Sequence, residues 1–122
     1  MTRALPRAIA PLALMALIFV LSADSDPGPD LPSFTQVIAH FSEYALLAAL
    51  WLWALLPALG RRAFAAAAAI SFLYALSDEY HQSFVPGRDP DPFDVLIDSL
   101  GIATALLAGR FAIARRAVSS RG

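Results

Sequence analysis

Two histidines and a group of acids carry whatever chemistry this chain can do. His40 and Glu43 lie three apart. Asp78, Glu79, His81 and Gln82 crowd into five residues, with Arg88 shortly after. Asp94 and Asp98 lie four apart. Spacings of three and four put side chains on one face of a helix. Three such faces brought together would hold carboxylates, imidazoles and one guanidinium within mutual reach. Crowded carboxylates repel, so some must be protonated, paired with Arg88 or a histidinium, or bound to a cation. Glu43 or Glu79 with His81 or His40 would make a general acid/base pair, and Glu79 and His81 are the best candidates. Arg88 suits the anchoring of a phosphate or carboxylate. His40, Glu43, Asp78, Gln82, Asp94 and Asp98 would complete a ligand-binding pocket around it. Histidine with carboxylates also takes a divalent metal, but no tight H-E-x-x-H motif is present, so metal and cofactor stay open. No nucleophile elbow, phosphate-cradling glycine loop or haem motif occurs.

Taken singly, each residue also has a plain structural use. Buried polar groups must find partners, and such a network can simply lock helices together. Asp94 is suited to the start of a helix by the dipole alone. Taken together, five carboxylates and two histidines against one arginine exceed what structure asks for.

The elements that must position these residues are apolar. Of 122 residues 58% are hydrophobic and 16% charged, whereas a soluble domain is near half apolar and a quarter charged. There is no cysteine, so neither disulfides nor thiolate metal sites arise. A net charge of −1 gives no reason to expect nucleic-acid binding. The placement of charge says more. All nine cations are arginine; Arg3, Arg7, Arg61, Arg62, Arg110, Arg115, Arg116 and Arg121 lie at the N-terminus, in one short loop and toward the C-terminus, and the acids lie elsewhere. The positive-inside rule produces that separation.

Four apolar runs follow, and they predict an all-α integral membrane bundle of four transmembrane helices in a single domain, 1–122. The first span covers about 5–22, with Pro11 tolerated near its end. Its shortness leaves a cleaved signal peptide as the alternative, but Leu21 fits a small-residue cleavage position poorly, so a retained helix is expected. Three prolines and a glycine in 24–35 forbid a helix, and Ser33 or Thr35 would cap the next one. The second span, 36–58, has the length that crosses a bilayer. A carboxylate at a helix centre costs about 2.5–3.5 kcal/mol, and ten large apolar residues here return roughly 3–6 kcal/mol. Insertion with Glu43 inside is therefore feasible. Pro57 to Gly60 ends this span, and Arg61-Arg62 makes a basic turn.

The third span, 63–84, contains five consecutive alanines, Ala65 to Ala69. Small side chains gain little from lipid but allow close helix approach, which predicts a place inside the bundle. A second proline-rich loop covers 85–92. The fourth span, 93–114, carries Gly101, Ala105 and Gly109 on one stripe. Four crossings put both termini on the cytoplasmic side and both acidic loops outside. The polar residues of the second, third and fourth spans then share one depth, in the outer half.

The string Asp78-Glu79-Tyr80-His81-Gln82-Ser83-Phe84-Val85-Pro86-Gly87-Arg88, followed by Asp94, Asp98 and Gly101, resembles the signature of the VanZ-like family. His40-Phe41-Ser42-Glu43-Tyr44 is similar to that family's H-F-x-x-Y segment, and Leu21-Ser22 to its short serine motif. The likeness runs from about residue 20 to 105. Where the family often has an Asp-Lys pair before the histidine, this chain has Gln36 and Val37, and a proline-rich segment replaces the small polar residues before Asp94. The resemblance implies a small multi-spanning protein of the bacterial plasma membrane. It also implies a link to resistance against the glycopeptide teicoplanin, with no reaction attached. Three readings stay open: an outward pocket acting on a cell-envelope ligand or glycopeptide, a non-catalytic binder of lipid or partner protein, and a metal-assisted hydrolase or transferase.

Overall fold

The computed structural model describes residues 4–22, 33–86 and 92–121. The elements there are all helices: α1 (Ala4–Arg7), α2 (Ile9–Ser22), α3 (Ser33–Leu59), α4 (Arg62–Gln82) and α5 (Pro92–Arg121). The proline-rich stretches 24–32 and 87–91 lie outside the described residues, and Arg88 with them.

The four predicted runs each hold a helix, with shifted ends. The first run is broken at Ala8, because Pro11 has no N–H to offer the Arg7 carbonyl one turn back. The ladder resumes from Leu12 N–H to the Ala8 carbonyl at 3.1 Å. The second helix passes through Pro57 and stops at Gly60, whose φ of +57° suits glycine. The third stops at Gln82, short of 84. Val85 precedes Pro86, which disfavours helix at Val85, and Phe84 and Val85 are held by tight i→i+3 bonds to His81 and Gln82. The fourth runs on to Arg121, because nothing between Arg110 and Arg121 breaks a helix.

α3 is the hub. It packs against α1, α2, α4 and α5, while α5 touches only α3 and α4. The alanine-rich α4, expected inside, instead buries a single stripe: Ala63, Ala67, Ser71, Ala75, Asp78 and Gln82. Leu73 and Leu76 on its other side are exposed. α3 buries Tyr44, Leu47, Ala48, Trp51, Leu52 and Ala54, a continuous face at three and four spacing that carries more apolar area than alanine can.

The small-residue stripe of α5 works as predicted, against α3. A Cβ on Gly101 would run into the Phe41 carbonyl oxygen, and one on Gly109 would lie 2.8 Å from Leu52 Cδ2. Two helix backbones therefore meet at Gly101 with no room for a side chain between them.

Pro57 leaves the Trp53 carbonyl without its intrahelical donor. Arg7 fills that gap. Its Nη1 donates to the Trp53 oxygen at 3.1 Å, and its guanidinium carbon lies 4.8 Å from the Trp53 ring centroid. A charged hydrogen bond and a cation–π contact thus tie the first helix to the far end of α3. Arg7→Ala is expected to lower stability by about 1–2 kcal/mol, part of that from the reopened carbonyl. Thermal unfolding in detergent measures it, and an unchanged midpoint would contradict this account.

Exposure is inverted relative to a soluble protein. Large apolar residues such as Leu12, Leu17, Ile38, Leu46, Leu73, Leu96, Leu100 and Phe111 are exposed, while Asp78, Gln82 and Asp98 are buried. Contiguous apolar surface on this scale marks a surface meant to be covered.

Candidate functional site

Three helices bring the polar residues together. His40 lies seven residues into α3, Asp98 six residues into α5, and Asp78 four residues before the end of α4. At about 1.5 Å per residue these positions are about 6–10 Å from neighbouring helix ends. α3 and α5 meet antiparallel to α4, so the three levels coincide.

Two cross-helix pairs result. His40 Nδ1 lies 3.0 Å from Asp98 Oδ1, joining α3 to α5. One turn deeper, the Tyr44 hydroxyl donates to Asp78 Oδ2 at 3.1 Å, joining α3 to α4. Tyr44 is fully buried, Asp78 and Gln82 are nearly so, and the Asp98 side chain is 3% exposed against 19% for His40. Exposure therefore falls from His40 to Asp98 and on to Tyr44. Glu43 and Asp94 act on His40 through space, and Asp78 and Asp94 on Asp98. Three carboxylates, Asp98, Asp94 and Glu43, thus act on one imidazole.

Tyr44 is the member that spacing underrated. It follows His40 by one turn, and the H-F-x-x-Y segment contains it, yet tyrosine offers no charge to draw notice. It is the residue that holds Asp78 in place. Gln82, one turn after Asp78, shares its buried face.

Glu79 and His81 stand apart from this pair of bridges. His81 turns toward α2, where its ring stacks on Phe19 with centroids 4.4 Å apart and planes 8° apart. Its Nδ1 is buried without a hydrogen-bond partner among the described residues. Glu79 is half-buried, with one carboxylate oxygen shielded from solvent. Tyr74, one turn before Asp78, donates from its hydroxyl to the Met15 carbonyl and fixes α2 beside them. Among the described residues, no three His, Asp or Glu side chains converge as a metal-binding set. Arg88, the expected anion anchor, lies outside the described residues.

The pattern of residues and the geometry agree with a match over most of the chain: the VanZ/LLP1 family model covers residues 8–113. The chain belongs to the VanZ/LLP1 family. No curated protein and no solved structure matches it. Both cross-helix pairs lie inside the stretch that the VanZ/LLP1 model covers. Two of the helices, Phe34–Leu59 and Pro92–Val118, are long and apolar enough to cross a membrane, and Ile9–Leu21 is a shorter apolar helix.

Proposed function

We propose that this VanZ/LLP1 chain is a multi-pass protein of the bacterial plasma membrane whose outward-facing polar pocket binds a cell-envelope ligand. Four spans, near 5–22, 36–58, 63–84 and 93–114, cross the bilayer with both termini cytoplasmic. The inverted exposure supports this, since leucines face outward and carboxylates face inward. The segregation of arginine from acid supports the orientation. α4 falls short of the apolarity that lets a helix cross alone, and it gains its place through the α3 and α5 surfaces that cover its alanine stripe.

The observation that carries the pocket is the pair of bridges, His40 to Asp98 and Tyr44 to Asp78. Intramembrane ionisable groups mark function by default. The bridges place Asp98 beside the part-buried His40 and Asp78 beside Tyr44, with Glu43 and Asp94 within electrostatic reach of His40, a setting for a ligand that carries a cation or several donors. Arg88 is the residue suited to anchor an anionic part such as a phosphate or carboxylate. His81 favours a second reading. Its buried Nδ1 has no hydrogen-bond partner among the described residues and imidazole is a general acid/base, so the protein would also transform what it binds.

An alanine scan of His40, Glu43, Asp78, Glu79, His81, Gln82, Arg88, Asp94 and Asp98, scored on teicoplanin susceptibility and membrane abundance together, tests both. Binding predicts that Arg88→Ala changes susceptibility at normal abundance. Catalysis adds Glu79→Ala and His81→Ala to that set. Abundance that falls in step with every phenotype would overturn the functional reading in favour of a packing network.

A further inference from the structure

A groove between α4 and α5 ends in two arginines. Its upper part, about 470 Å³, is lined by Ala68, Phe72, Ile102 and Ala103, with almost no polar surface. Its lower part, about 440 Å³, is lined by Phe64, Ile113, Arg61 and Arg110. Leu106 and Leu107 border both parts, so the two are continuous. One alanine from each helix creates it: Ala68 of α4 and Ala103 of α5 leave the gap that larger residues would fill.

Among the described residues, the arginines at its end have no acid to pair with. Every Asp and Glu lies within 24–43 or 78–98. Asp98 is twelve residues above Arg110 on α5, about 18 Å along the helix, and Asp78 is seventeen above Arg61, about 25 Å. A guanidinium is a planar cation whose donors match a phosphate. An apolar slot closed at one end by two unneutralised cations is complementary to one chemistry: an acyl chain with an anionic headgroup.

We infer that this groove binds one anionic phospholipid of the cytoplasmic leaflet, with its chain along Phe72, Ile102 and Leu106 and its phosphate at Arg61 and Arg110. The site rests on the membrane orientation proposed above and is separate from the polar pocket, at the other end of the helices. Basic pockets between membrane helices on the cytoplasmic side hold such headgroups, and each nearby arginine favours them about fivefold. The groove also fills space that α4 leaves beside α5, so the lipid completes the packing of the weakest helix.

The test uses the full chain reconstituted in phosphatidylcholine vesicles with a trace of chain-spin-labelled phosphatidylglycerol or phosphatidylcholine. The motionally restricted fraction is read by electron paramagnetic resonance. The expected result is a preference for phosphatidylglycerol of about fivefold or more. It should fall to near one in R61Q/R110Q and persist in R115Q/R116Q, whose arginines lie beyond the groove. Ala103→Phe, which fills the slot, should reduce restriction of phosphatidylglycerol. Equal restriction of both lipids by the native chain would overturn the site. So would a preference that falls equally in R115Q/R116Q, or one that Ala103→Phe leaves intact. Resistance of the reconstituted chain to alkaline extraction separates these outcomes from a failure of the membrane reading itself.

Discussion

Gly101→Ala is expected to destabilise the protein by at least about 2 kcal/mol, while Gly109→Ala is expected to be nearly neutral. Alanine in place of glycine favours a helix by about 1 kcal/mol at either position. What opposes that gain differs. At Gly101 the new methyl meets the Phe41 carbonyl, with the Ala45 nitrogen 3.2 Å away. Both are backbone atoms of α3 and can yield only if the helices separate. Overpacking of that kind costs about 3 kcal/mol or more, so a net loss of at least about 2 kcal/mol remains. At Gly109 the obstacle is Leu52 Cδ2, the end of a side chain that has other rotamers. The measurement is membrane abundance and thermal midpoint of the two variants side by side. Equal behaviour would mean that α3 and α5 do not meet at Gly101.

The second large effect concerns the bridge between His40 and Asp98, and its sign is more informative than its size. Asp98→Leu leaves His40 facing Glu43 and Asp94 without its bonded partner, inside an apolar assembly. Breaking one side of a buried ion pair costs about 3 kcal/mol at the low end. His40→Leu leaves an aspartate that is almost wholly buried, and should cost as much. Removing both partners takes away the uncompensated group. The double variant, His40→Leu with Asp98→Leu, is therefore expected to be more stable than either single one. Interhelical bonds in membranes are individually modest, with couplings near 0.6 and at most about 1.7 kcal/mol, so the double variant should fold. If it retains abundance yet loses function, the pair serves the pocket. A double variant less stable than both singles would sink the account of a strained, carefully paired site.

Much of this could be read along the chain because the relevant signals are local. Apolar runs gave four helices, Gly101 and Gly109 gave the α3–α5 contact, and the three- and four-residue spacings of His40, Asp78, Asp94 and Asp98 gave faces that do meet. The contacts that could not be read depend on what lies across the interface. Nothing near Arg7 indicates a carbonyl stripped of its donor by a proline fifty residues later. His81 sits three residues from Asp78 and seems, by spacing, to share its face, yet the aromatic ring of Phe19 on α2 draws it to the flank. Tyr44, beside the polar stripe, joins it to Asp78. The fourth helix outlasts its apolar run. Phe111 to Arg116 keep good helix formers after the apolar stretch is over.

The leading helix pair touches the remainder at a few defined places: a guanidinium on Trp53, a tyrosine hydroxyl on the Met15 backbone, and a ring on His81. It makes no contact with α5, and both polar bridges are built without it. It behaves as a brace set against a finished tripod. Sequence drift in residues 4–22 would then fall on the contacts of Arg7, Ile18 and Phe19 and leave both polar bridges without a changed member.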